Sequence, residues 1–116
     1  MPLDLSLKES VVHGTPKRPI RAMHFAAGPG TTYPDHFFVE RHWHNYVEIL
    51  FILNGDYVIE INLESRVLHK GDICLLNSGE LHQLTGLSPT ALHDAVLFDP
   101  QILNFSYDDE WEESYI

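Results

Sequence analysis

Basic residues are scarce in this chain. Seven Lys and Arg stand against 17 Asp and Glu, a formal charge of −10, and none of the seven lies beyond Lys70. Neutralising nucleic-acid phosphates takes clustered Lys and Arg, so the chain is not expected to hold DNA or RNA itself. Any nucleic-acid role falls to another segment or subunit. Cysteine is almost missing too: Cys74 is the only one. A disulfide framework is therefore excluded, and the run Ile73-Cys74-Leu75-Leu76 marks that thiol as a buried small hydrophobe. No apolar stretch approaches the roughly 20 residues needed to span a bilayer. The opening Met1-Pro2-Leu3-Asp4 lacks the basic start and apolar stretch of a secretory signal, which makes the cytoplasm the default compartment. No Gly-rich phosphate loop precedes a helix, and neither Ser78 nor Cys74 stands where a nucleophile would be activated.

What is present suits one globular domain: 116 residues, 44% apolar and 21% charged. Residues 1–17, with Pro2, Gly14 and Pro16 and no sustained period, read as an N-terminal arm able to fold over a pocket. A strand is expected from Arg18 to Phe25, then a break at Ala26-Ala27-Gly28-Pro29-Gly30 and a loop through Pro34. Tyr46 to Leu53 is apolar except for Glu48, and Asn54-Gly55-Asp56 supplies turn chemistry. Tyr57 to Leu63 then alternates, so a hairpin is predicted. A second tight turn is placed at Glu64-Ser65. Further strands follow at Arg66 to His69, Ile73 to Leu76, Leu81 to Leu84 and Ala91 to Phe98, separated by Lys70-Gly71-Asp72 and Asn77-Ser78-Gly79-Glu80. Short strands with turns every eight to twelve residues or so indicate an antiparallel sandwich or barrel. Asp99-Pro100 has the form of an N-cap and first helical position for a short helix to about Asn104. Beyond it acids crowd around Tyr107, Trp111 and Tyr115, and the pattern stops uncapped at Ile116, as if the native protein continued.

The chemistry concentrates in His42-Trp43-His44-Asn45-Tyr46-Val47-Glu48. In one extended strand, His42, His44, Tyr46 and Glu48 would share a face. Two imidazoles and a carboxylate suit a divalent transition metal such as Zn, Fe, Mn or Ni, and His82 on a later strand is a candidate fourth ligand. A metal-free polar pocket built from the same four residues is the alternative, and either way they line one cavity.

These residues resemble the cupin superfamily. Its first motif is met by His42, His44, Glu48 and Gly55, and its second by Gly71, Gly79 and His82; His36, Asn77 and Gly86 depart from it at positions that affect turns more than ligands. The resemblance covers residues 18–98 and implies an all-β fold: a cupin double-stranded β-helix, or jelly-roll barrel, followed by a short C-terminal helical segment. The wording of the run from His42 to Gly55, of Lys70 to Leu76, of Gly79 to His82 and of Ala95 to Leu103 is similar to the effector-sensing domain of AraC-type transcription regulators. That similarity implies a small polar effector, with a sugar as the first candidate. It also implies a homodimer and a helix-turn-helix DNA-binding part beyond the helical acidic tail of residues 99–116. A stand-alone metal-dependent enzyme of dioxygenase, isomerase or lyase type is the competing reading.

Other side chains are second-tier. His24 and His93 are candidate pocket residues on strands of unsettled parity, and Tyr46 offers a hydroxyl. Arg21 is more naturally an exposed strand cation than an effector contact. Trp43 is as well suited to the outside of the barrel as to a ligand, and His13, His36 and His69 read as exposed.

Overall fold

The computed structural model describes residues 7–9 and 19–101. Eight strands account for most of them: β1 (Ile20–Ala26), β2 (Phe37–His42), β3 (Val47–Asn54), β4 (Tyr57–Ile61), β5 (Glu64–Leu68), β6 (Ile73–Leu76), β7 (His82–Gly86) and β8 (Leu92–Phe98). They form two four-stranded antiparallel sheets, ordered β1-β8-β3-β6 and β2-β7-β4-β5. Period-two burial sets the facing surfaces. Leu50 and Ile52 of β3, Leu76 of β6, and Ala95 and Leu97 of β8 meet Tyr57 and Ile59 of β4 and Leu84 of β7 in one core. Cys74 belongs to that core, and burial pushes its thiol pKa up, which suits the inert hydrophobe expected.

The chain changes sheet at every connection but one, as the strand orders show. Among the described residues only β4 and β5 form a hairpin. This corrects the hairpin expected across Asn54-Gly55-Asp56, since β3 and β4 lie in different sheets. There the chain steps across the barrel: Asn54 Nδ2 donates to Thr90 O at 2.9 Å, and Gly55 adopts φ 76°. A Cβ on Gly55 would stand 3.1 Å from Ala91 Cα, so the site asks for glycine on both conformation and space. The β4–β5 turn is at Asn62-Leu63, both with positive φ, two residues before the expected Glu64-Ser65, because Ile61 pairs with Glu64. Leu63 thus belongs to the turn rather than to the alternating strand.

Strand β2 was not anticipated. It pairs with β7, Phe37 opposite Gly86, Phe38 opposite Thr85 and Val39 opposite Leu84, and an irregularity between Val39 and His42 shifts the register so that His42 stands opposite His82. The capping expected at Asp99 is present, since Gln101 N–H donates to its Oδ1 at 2.9 Å. The rest of that helix, the acidic tail with Tyr107, Trp111 and Tyr115, and the arm other than residues 7–9 lie outside the described residues. No helix among the described residues is long and apolar enough to cross a membrane.

Candidate functional site

His42 and His82 are cross-strand partners at the ends of β2 and β7, and their rings lie 4.3 Å apart between centroids. From His42 the chain leaves one sheet, turns through Trp43, His44, Asn45 and Tyr46, and enters the other at Val47. Glu48 is then the second residue of β3, on the inward parity of Leu50 and Ile52. His42, His44 and Glu48 therefore do not share one strand, as expected from parity. They converge because the corner between β2 and β3 folds at this end of the barrel. The corner is braced from outside: Gly79 N–H donates to His44 O at 2.8 Å, Trp43 N–H to Leu7 O at 3.0 Å, and Glu9 N–H to Trp43 O at 2.8 Å. Trp43 is buried beneath Lys8, whose Nζ lies 5.3 Å from the ring centroid.

Three imidazoles are oriented in the same way. His42 Nδ1 faces Glu40 O at 2.8 Å, His44 Nδ1 faces Tyr46 O at 3.1 Å, and His82 Nδ1 faces Glu80 O at 2.9 Å. Each carbonyl takes the Nδ1 proton and leaves Nε2 for the interior, which is the arrangement that presents a histidine to a metal. His42, His44 and His82 offer ligand atoms that all lie within 4.8 Å of one another. Glu48 Oε1 is 3.0 Å from His44 Nε2 and 3.8 Å from His82 Nε2. Glu9 Oε2 approaches His42 Nε2 at 3.5 Å.

The electrostatics follow from burial and pairing. Burial alone would raise the Glu48 carboxyl, but the His44 hydrogen bond and the three imidazoles outweigh it and hold its pKa below the ordinary value. Burial opposes protonation of His44, yet its bond to Glu48 and that charge raise its pKa. His82 makes no hydrogen bond to Glu48, and burial outweighs that nearby charge and pushes its pKa down to about 4. Its Nε2 is the one buried side-chain nitrogen or oxygen without a hydrogen bond among the described residues. An unsatisfied buried polar atom costs about 1–3 kcal/mol unless something occupies the position it faces.

An open cavity of about 710 Å³ reaches this cluster, with His42, Glu48 and His82 in its wall. Met23, Phe25, Phe37, Val39, Leu50 and Leu97 supply an apolar lining, while Lys8, Glu9, Arg21, Glu40 and Arg41 add charge. Arg21 lies on the inward parity of Met23 and Phe25, so it reaches the cavity despite its exposure. Arg41 is tied to Glu60, Nη2 to Oε1 at 2.6 Å. His93 also lines the cavity and is almost fully buried. His24 is not brought to it: one residue from the inward Phe25, it points outward and pairs with Asp94 across β1 and β8. Tyr46 meets the cluster through its carbonyl, its ring 5.9 Å from that of His44 and outside the cavity wall. His36 and His69 are exposed, as expected, while His13 lies outside the described residues.

Comparison with known proteins places this architecture. The family description "AraC-like ligand binding domain" matches residues 27–106. The chain belongs to that family. A curated relative of this AraC-like domain is the uncharacterized HTH-type transcriptional regulator YdeC of Bacillus subtilis (strain 168), 32% identical over 80 residues. The match takes in 69% of this chain and 26% of YdeC, so the domain spans about a quarter of that relative. Among solved structures, the cupin domain of Schizosaccharomyces pombe Cnp3 matches with a TM-score of 0.60 at 13% identity, over 84% of this chain and 63% of that one. A predicted oxalate decarboxylase from Thermotoga maritima matches with a TM-score of 0.52 at 29% identity, covering 70% and 65%. KdgF from Halomonas sp. gives a TM-score of 0.52 at 20% identity, covering 70% and 79%. The AraC-like domain therefore has the cupin fold, two antiparallel sheets enclosing the cavity.

Sequence reasoning missed Glu9, Arg41 and the aromatic surroundings of His93. Glu9 reaches the site through main-chain bonds to Trp43, which side-chain patterns do not encode. The alternation of Phe25 with Met23 and of Tyr57 with Ile59 carried the aromatic signal.

Proposed function

We propose that this chain is the effector-binding part of a transcription regulator, and that occupancy of the cavity controls a DNA-binding part lying elsewhere in the intact protein. The observation that carries the reading is the bare, buried Nε2 of His82, facing a cavity in a domain of the AraC-like ligand-binding family. A bound species completes that coordination. The acidic charge and the regulator relative support division of labour, with sensing here and DNA contact in another segment.

His42, His44, His82 and Glu48 fit a divalent transition metal, such as Zn, Fe, Mn or Ni, by donor type and by the carbonyls that fix their tautomers. A metal there would supply a Lewis acid toward an oxygen atom of the effector. The protein's own residues do the rest: the apolar wall excludes water, and Glu9 and Glu48 balance the imidazoles. Signalling would be a population shift, in which the effector favours one arrangement of the arm or of a homodimer surface over another. The arm, barrel and tail at residues 1–17, 18–98 and 99–116 are the parts we assign to cover, pocket and connection, in a cytoplasmic protein.

Operator binding by the intact regulator, measured with and without small molecules extracted from the purified protein, tests the reading. A change of about fivefold or more in operator affinity is expected. A reading frame that ends at Ile116 without a DNA-binding segment overturns it. The four-donor cluster also favours a second reading, a stand-alone metal-dependent enzyme, and the predicted oxalate decarboxylase of similar fold is in keeping with it. Elemental analysis separates the two when combined with turnover assays: stoichiometric metal lost in His44→Ala, together with metal-dependent turnover, would favour the enzyme.

A further inference from the structure

Apart from the cluster of His42, His44 and His82, another buried imidazole lines the cavity in a different chemical state. His93 is the second residue of β8, stacked on Phe25 at 4.9 Å and 20°, with Phe37 and Tyr57 edge-on at 4.9 and 5.0 Å. Its Nδ1 is 2.8 Å from the hydroxyl of Tyr57, which reaches it from the opposite sheet. Tyr57 is fully buried, and His93 is the only hydrogen-bond partner of its hydroxyl among the described residues. A phenol hydrogen shut in a core must be donated, or be left unpaired at about 1–3 kcal/mol. The arrangement that satisfies it has Tyr57 O–H donating to Nδ1, which puts the proton of neutral His93 on Nε2. Burial keeps the ring neutral, with its pKa pushed down to about 4.

This tautomer is the reverse of that at His42 and His82, whose Nδ1 protons go to main-chain carbonyls and whose Nε2 atoms present lone pairs. His93 Nε2 has no partner among the described residues, yet it is not sealed off as His82 Nε2 is, and the ring lines the cavity. The cavity thus holds a fixed donor within an aromatic cage. Around it the wall is apolar, and the charged lining carries three cations, Lys8, Arg21 and Arg41, against three carboxylates, Glu9, Glu40 and Glu48, so it does not call for a strongly charged occupant. Beside His93 the rings of Phe25, Phe37 and Tyr57 surround the donor, so a sugar placed there would bring further hydroxyls against aromatic faces, at a similar cost for each one left unpaired.

We infer that His93, held in one tautomer by Tyr57, determines specificity by donating from Nε2 to a carbonyl or carboxylate oxygen on a compact apolar molecule packed against Phe25 and Phe37. This inference rests on reading the cavity as the effector site, and it narrows the effector to apolar carbonyl compounds rather than sugars.

Calorimetric titration of the protein with benzoate, acetophenone, toluene and glucose tests it, with the first two separating an acid from a neutral carbonyl. At least one carbonyl probe is expected to bind, and glucose is not. His93→Leu should weaken the binding carbonyl probe about tenfold while leaving toluene within about twofold, and His93→Gln, which keeps a donor, should recover most of the loss. The ring-nitrogen NMR spectrum should place the His93 proton on Nε2 in the parent protein and show a mixture of tautomers in Tyr57→Phe. A proton found on Nδ1, glucose binding in preference to both carbonyl probes, or binding by neither probe overturns the inference, as does equal loss of toluene and carbonyl probe in His93→Leu. The parent spectrum decides the tautomer even where a variant fails to fold. Carbonyl binding without any effect on operator affinity in the intact regulator would sink the sensor reading alone, whereas a sugar that binds and shifts operator affinity would sink this inference alone.

Discussion

His82 and His93 are neutral in the folded protein because each would lose solvation by charging inside the barrel. Once unfolded, both regain an ordinary pKa near 6.5. The unfolded chain therefore binds more protons than the folded one between about pH 6.5 and pH 4, and stability falls as pH drops through that window. The loss is of order 1 kcal/mol per pH unit for each ring. His44 acts in the opposite sense, since its raised pKa adds stability below about 6.5 that fades as pH rises through the folded value. Denaturant titrations in chelator at pH 7 and pH 5 should show the protein weaker at pH 5, and His93→Gln should flatten the dependence. A pH-independent midpoint would contradict neutral burial of these rings.

Turn and corner residues decide the elements. Leu63 holds φ 71° in the β4–β5 turn and is exposed, so it is strained without packing in return. Leu63→Gly is expected to raise stability by about 0.5–1 kcal/mol, read from the urea midpoint. Gly86 behaves conversely. A Cβ there would lie 2.7 Å from Ala91 Cβ and 3.0 Å from Phe37 Cβ, and Gly86→Ala should cost about 1–3 kcal/mol by overpacking. Most strands were legible because apolar alternation bounded by Gly and Asn marks a strand wherever it pairs. The Asn54-Gly55-Asp56 step was not, because the same turn chemistry serves a hairpin and a crossing between sheets, and only the partners of β3 and β4 decide which it is. Strand β2 escaped because Phe37-Phe38-Val39-Glu40-Arg41-His42 breaks alternation just where it turns charged groups toward the cavity. His42, His44 and Glu48 were singled out by spacing and His82 by its place on a later strand, but shared parity on one strand did not describe how they meet, because the geometry that unites them is a corner. The role of His93 was not, since its tautomer depends on a tyrosine in another sheet.

At the scale of the molecule, long-range pairing dominates. The alternation between sheets means that neither sheet can be completed until nearly the whole chain is in place, as β1 pairs with β8. Such topologies fold slowly, and refolding on the millisecond to second scale is expected by stopped-flow fluorescence of the buried Trp43. Refolding within a few microseconds would contradict this topology. A net charge of −10 sets the behaviour toward polyanions: no salt-dependent affinity for duplex DNA should be found by fluorescence anisotropy at about 50 mM salt. Measurable binding there would place the DNA contact in this chain after all.

The burial of Cys74 has a practical side. A lone thiol enclosed in the core, with its ionisation held back, leaves the surface without a competing reactive sulfur. Any cysteine introduced at an exposed position, such as Leu63 in the turn whose neighbour Asn62 is bonded to Leu81 beside His82, can carry a fluorophore or spin label without first altering the native sequence. The chain is thus ready for single-site spectroscopy of cavity occupancy.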